Sequence, residues 1–151
     1  MSDVSVIWAY RRTGKFAFHV LTGALGATAD VAEVPIEFAN GPAAVVTAVQ
    51  SALAAGAKVV LVGWSFYSPD FRQMAAELAE VRAALGAAPV VHVVGGVHAS
   101  AEPAATLQAG FDLVAIGEGE RLVVELVRAL RAGGDARGVP GVAWRDATGV
   151  V

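Results

Sequence analysis

Short apolar runs rich in β-branched residues recur along this chain, and each is followed by a segment long enough for a helix. A strand with one face in water alternates apolar and polar residues. Val4-Ser5-Val6-Ile7-Trp8-Ala9-Tyr10 and Val59-Val60-Leu61-Val62-Gly63-Trp64 are instead apolar almost throughout, the pattern of a strand covered on both faces. Strands are predicted over residues 4–10, 30–36, 58–64, 89–94 and 112–116, with the second closed by Pro35 and a turn at Asn40-Gly41-Pro42. Helices are predicted over 16–27, with Phe16, Val20 and Ala24 on one face, and from Pro42 to Gly56, with Val45, Val49 and Leu53 recurring every four residues. A third runs to Gly86 with Ser68 as N-cap, Pro69 at the first helical position, and Phe71, Met74, Ala75, Leu78 and Leu85 as its stripe. The remaining two cover 102–109 and 120–132, the last with Leu122, Leu126 and Leu130 inward.

Five strands alternating with five helices predict a three-layer α/β domain around a five-stranded parallel sheet. The expected order is 2-1-3-4-5, the flavodoxin-like (Rossmann-like) arrangement. Right-handed crossovers make all the strands point one way, so the loops at their C-terminal ends gather on one rim, where ligands bind in open α/β sheets. That rim would carry Arg11, Arg12, Thr13, Gly14 and Lys15 after the first strand and Ser65, Phe66 and Tyr67 after the third. Gly95, Gly96, Val97 and His98 follow the fourth, and Gly117, Glu118, Gly119 and Glu120 follow the fifth. Gly95-Gly96 lets backbone approach a flat ligand closely, although the pair alone also fits an ordinary strand-to-helix turn.

Several function classes are excluded by what the 151 residues contain. The absence of cysteine rules out disulfides, thiolate zinc sites and any iron–sulfur cluster held by this chain. A net charge of −3, with only Arg11, Arg12 and Lys15 clustered, argues against nucleic acid as a partner. The chain is 56% hydrophobic, yet no apolar run reaches the ~18 residues of a membrane span. Met1-Ser2-Asp3 leads straight into a strand with no secretory pattern, so a cytoplasmic location is expected. Thr13-Gly14-Lys15 is not a phosphate loop, because Ala9 and Phe16 stand where glycine and a hydroxyl residue are required. Gly117-Glu118-Gly119 fails the dinucleotide pattern, with Leu122 at the third glycine position. A phosphorylatable receiver needs acidic residues where Ala9-Tyr10-Arg11 and Trp64-Ser65 stand. Ser65 and His98 share a rim without a nucleophile-elbow pattern, while His92 in a strand and His19 in a helix fit structural or solvent-facing roles.

Three motifs in order carry a more specific signal. Val93-Val94-Gly95-Gly96-Val97-His98-Ala99-Ser100 resembles the strand-Gly-Gly-x-His segment of the N-terminal cobalamin-binding domain of cobalamin-dependent radical S-adenosylmethionine enzymes. Residues 111–120, ending Gly117-Glu118-Gly119-Glu120, resemble that family's D-x-V-x-x-GEGE segment. Val139-Pro140-Gly141-Val142-Ala143-Trp144-Arg145-Asp146 resembles the connector that precedes its radical barrel. The resemblance implies a corrinoid over the rim, with its dimethylbenzimidazole tail between sheet and helices. Ser65 and Gly95-Gly96 would line the tail channel, and Val97 and His98 would lie near the corrin edge. Aligned on Gly14, the Asp-x-His-x-x-Gly loop of mutase-type domains has Ala9 for its Asp and Arg11 for its His. A guanidinium has no lone pair for cobalt, so cobalamin is expected base-off and without a histidine ligand.

Arg11, Arg12 and Lys15 would contact corrin amides or the tail phosphate, or form a solvated loop. Glu118 and Glu120 would favour the last helix N-terminus with or without a ligand. The resemblance divides the chain into a cofactor domain at 1–137 and a connector at 138–151. The resemblance implies that the [4Fe-4S] cluster, S-adenosylmethionine and methyl-transfer or related radical chemistry would belong to a barrel in a longer parent chain. The alternative is a non-catalytic flavodoxin-like interaction or sensor module that has lost the cofactor. A rim plugged by Trp64, Phe66 and Tyr67 would favour that reading, and an open groove beside Gly95 would favour binding.

Overall fold

The computed structural model describes residues 3–10, 15–66, 68–146 and 149–150. Strands β1 (Val4–Tyr10), β2 (Ile36–Asn40), β3 (Val59–Ser65), β4 (Val90–Gly95) and β5 (Leu113–Ala115) form the expected parallel sheet in the order 2-1-3-4-5. Helices α1 (Lys15–Gly26) and α6 (Gly119–Arg131) cover one face. On the other lie α2 (Pro42–Ala54), α3 (Phe71–Leu85), and the short α4 (Val97–Ala101) and α5 (Pro103–Gln108). Each strand therefore feeds two cores by residue parity. On β3, Val60, Val62 and Trp64 join the α2–α3 side, and Leu61 joins the α1–α6 side.

A sixth strand, β6 (Val142–Ala143), runs antiparallel along β5 within the segment expected to be connector. Gly141 enables it: φ is +91° there, and its carbonyl accepts the Ile116 N–H at 2.8 Å. Val139 and Ala143 are buried as a result. The strands β7 (Arg145–Asp146) and β8 (Gly149–Val150) then pair antiparallel.

The second strand lies later than predicted, at Ile36–Asn40 rather than 30–36. Val31 and Val34 are buried from consecutive turns, with Val31 N–H bonding Thr28 O and Val34 N–H bonding Val31 O. Pro35 has no N–H to give a ladder, but its carbonyl accepts from Val6 N at 2.8 Å and so starts the pairing. The fourth helix is two pieces because Glu102, preceding Pro103, is forced out of helical geometry (φ −129°, ψ 60°). Ser68 and Pro69 form a single 3₁₀ turn, and α3 starts at Phe71 behind Asp70.

The orientation of α1 also departs from expectation. Phe18 and Leu25 enter the core, with Leu21 packed against it, while Phe16 is 80% and Val20 36% exposed. Trp8 sets this face: its ring stacks on Phe18 at 5.1 Å, and its Nε1–H donates to Thr22 Oγ1 at 2.8 Å. On α6, Leu122 and Leu126 point inward as predicted, with Val123 and Val127 beside them and Leu130 half-buried.

Candidate functional site

Between the sheet and the pair α1 and α6 lies an open groove of about 380 Å³. Its existence follows from side-chain size. At the C-terminal ends of β3, β4 and β5, the residues facing α1 and α6 are Ser65, Gly95 and Ala115. Ser65 sits beside Gly95 in the β3–β4 register, and a Cβ on Gly95 would lie 3.7 Å from that of Ala115. One layer deeper the same face carries Trp8, Gly63, Val93 and Leu113, adjacent across β1, β3, β4 and β5. Three small residues therefore open the mouth, and Trp8 and Val93 close the bottom.

The walls are helical. Phe16, Val20 and Leu21 come from α1, and Leu122, Val123 and Leu126 from α6. Gly119, at the start of α6, allows the two helices to meet, since a Cβ there would stand 3.1 Å from Leu21 Cδ2. The rim is made by Gly96 (φ +115°), Gly117 (φ +84°) and Glu118. Ser100 ties the β4 and β5 ends together through long contacts of 3.4 Å, donating to Ala115 O and accepting from Gly117 N–H.

Of the residues singled out by sequence, Ser65, Gly95, Gly96, Gly117, Glu118 and Gly119 come together around this groove. Phe66 does not join them. It is buried on the opposite face, stacked on Phe71 at 5.6 Å and Phe111 at 6.2 Å, because the large aromatic core under α3 takes it. Trp64 likewise borders the groove only from the strand, while its indole faces Phe111 and His92. Arg11, Arg12, Thr13, Gly14 and Tyr67 lie outside the described residues. So do the side chains of Lys15, which opens α1, and of Val97 and His98, which open α4. Glu118 occupies the N-cap of α6 without a side-chain capping bond, and Glu120 stands in the first turn, where negative charge suits the helix dipole.

The groove's floor and walls, namely Trp8, Gly63, Ala115 and the inner faces of α1 and α6, were not singled out as site residues. One signal was present: an isolated glycine inside a strand, as at Gly63, marks a close approach of another group.

His92 and His19 do not line the groove. His92 is buried on the α3 side, where Nδ1 accepts from Trp64 Nε1–H at 3.0 Å. Its pKa is lowered to about 4, first by burial and then by the Arg82 cation, against the opposing pull of Asp112. Asp112 accepts from the His92 backbone N–H at 2.7 Å and pairs with Arg82 at 3.0 Å. His19 is exposed, with its ring 4.9 Å from that of Phe38. Among the described residues no group of three or more His, Asp or Glu could hold a metal ion, and no helix is long and apolar enough to cross a membrane.

No protein-family model matches the sequence, and a comparison with curated proteins found no match. Solved structures do match. TsrM from Kitasatospora setae, a radical S-adenosylmethionine methyltransferase solved with cobalamin and a [4Fe-4S] cluster bound, aligns with a TM-score of 0.72 at 21% identity. The alignment covers 100% of this chain and 30% of TsrM. The same enzyme with its tryptophan substrate and a SAM analogue gives 0.72 at 23% identity over 99% of this chain. OxsB, a cobalamin-dependent S-adenosylmethionine radical enzyme solved with aqua-cobalamin and S-adenosylmethionine bound, gives 0.67 at 15% identity, over 98% of this chain and 21% of its own. This chain thus has the fold of a segment within cobalamin-dependent radical SAM enzymes, and spans less than a third of their length.

Proposed function

We propose that this chain is a cofactor-holding domain for cobalamin, serving a radical S-adenosylmethionine barrel in the same parent chain. The observation that carries the reading is the open groove beside Gly95, with Trp64 and Phe66 turned into the opposite core. A plugged rim would have favoured the ligand-free interaction module. The volume of about 380 Å³ falls at the lower end of the roughly 300–1,000 Å³ typical of small-molecule sites.

The residues present suit the group. A planar heterocycle entering between sheet and helices needs bare backbone at the mouth and an apolar interior, which Ser65, Gly95, Ala115 and the walls from α1 and α6 provide. Gly96 and Gly117 present bare backbone at the rim, where a macrocycle can approach closely. Arg11, Arg12 and Lys15 would contact the corrin amides or the tail phosphate, with Thr13 and Gly14 in the same loop and Val97 and His98 near the corrin edge. With Arg11 where mutase-type domains carry their histidine, no ligand to cobalt comes from that loop. When bound, cobalamin would supply a cobalt that carries a methyl group for transfer or related radical chemistry.

Mixing the protein with hydroxocobalamin tests the reading. A base-off absorption spectrum is expected, and an unchanged spectrum at high micromolar protein would remove the proposal.

A further inference from the structure

The groove is short of polar atoms in a way that bears on which corrinoid it accepts. Its deep end is formed by Trp8, Phe18, Val93, Leu122 and Leu126, none of which offers a free hydrogen-bonding group. The polar atom of Trp8 is already committed, since Nε1–H donates to Thr22 Oγ1. The backbone below is committed too: β3 and β4 are each paired on both sides, so their amides and carbonyls serve the ladders. The mouth adds the hydroxyl of Ser65, which has no hydrogen bond among the described residues. Glu118 and Glu120, both exposed, line the groove at its rim.

The deep wall is also fixed. A Cβ at Gly63 would lie 2.5 Å from Trp8 Cε3 and Cζ3, and the Trp8 ring stacks on Phe18 within 9° of parallel. Held between those contacts and the Thr22 bond, the indole has no room to retreat or to present a new donor.

Resting on the cobalamin reading above, we infer that the groove selects the corrinoid by its tail base, accepting dimethylbenzimidazole and discriminating against a purine such as adenine. Off cobalt, dimethylbenzimidazole presents one free ring nitrogen, which a single hydroxyl satisfies, and its methyl groups suit an apolar end. Adenine brings further ring nitrogens and an exocyclic amine. Each that reached the deep end would be stripped of water among side chains that offer no partner, and one such loss weakens binding by roughly tenfold or more.

Visible-absorbance titrations of the protein with hydroxocobalamin, its adeninyl counterpart and tail-less cobinamide test this directly. Cobalamin is expected to bind at least about tenfold more tightly than either of the others. Equal affinity for cobalamin and the adeninyl corrinoid, both tighter than cobinamide, would overturn the selectivity and leave the cofactor role standing. Equal affinity for all three would show that the groove takes no tail and overturn it as well. Binding of none would remove both proposals.

Discussion

The indole of Trp8 presses against Gly63 on the neighbouring strand so closely that any side chain at position 63 would fall 2.5 Å from two of its ring carbons. Glycine there lets a large aromatic lie flat across the sheet and floor the groove. Replacing Gly63 with Ala forces the indole toward the cavity, at a cost of about 1–3 kcal/mol as an overpacked core. Urea denaturation should show that loss, and cobalamin titration should show the variant's affinity falling to that of cobinamide. A variant with wild-type stability and affinity would mean that Trp8 does not bound the groove.

Phe16 and Phe18 lie two residues apart and should behave oppositely. Phe18 is 2% exposed against Trp8, so Phe18→Ala should cost about 3–5 kcal/mol. Phe16 is 80% exposed, and Phe16→Ser should change stability by no more than about 0.5 kcal/mol. Denaturation midpoints of the two variants check both, and the reverse order of losses would mean that α1 is turned as the sequence periodicity suggested.

The buried His92 makes stability depend on pH. Its pKa is about 4 in the folded protein and 6.5 ordinarily, so between those values the unfolded chain binds the extra proton. Stability from this group is complete above pH 6.5 and is lost as pH falls through about 4, by a few kcal/mol in all. Urea titrations across that window should show the decline, and His92→Gln should flatten it. An NMR titration placing His92 near its ordinary pKa would contradict the account.

Gly96 turns the chain from β4 into α4 with φ at +115°, and a Cβ there would stand 3.3 Å from Phe66 O. Gly96→Ala should therefore lose about 1–3 kcal/mol. The urea midpoint should fall at an unchanged m-value, because the folded state remains compact.

The central strands were legible because a sheet buried on both faces leaves little choice in its residues, as Val59 to Trp64 show. The second strand slipped because Val31 and Val34, three apart, serve turns as well as they serve strands, and Pro35 marks the start of pairing rather than its end. The face of α1 was ambiguous for a different reason. Phe16, Phe18, Val20, Leu21 and Leu25 spread apolar residues around the helix, and only the Trp8 contacts choose among them. The rim glycines could be read from local pattern. The floor could not, because strand parity decides that Gly63 and Ser65 face one core and Trp64 the other. That parity is also why Phe66 left the expected site.

Of the three tryptophans in the chain, Trp8 alone sends its ring to the groove. Trp64 donates to His92 on the far face, and Trp144 lies under the Arg137 guanidinium at 4.8 Å. The fold thus carries its own optical gauge of occupancy. With Trp64 and Trp144 replaced by Phe, the remaining indole would emit from a dry setting, and a coloured macrocycle seated above it should drain that light in proportion to filling.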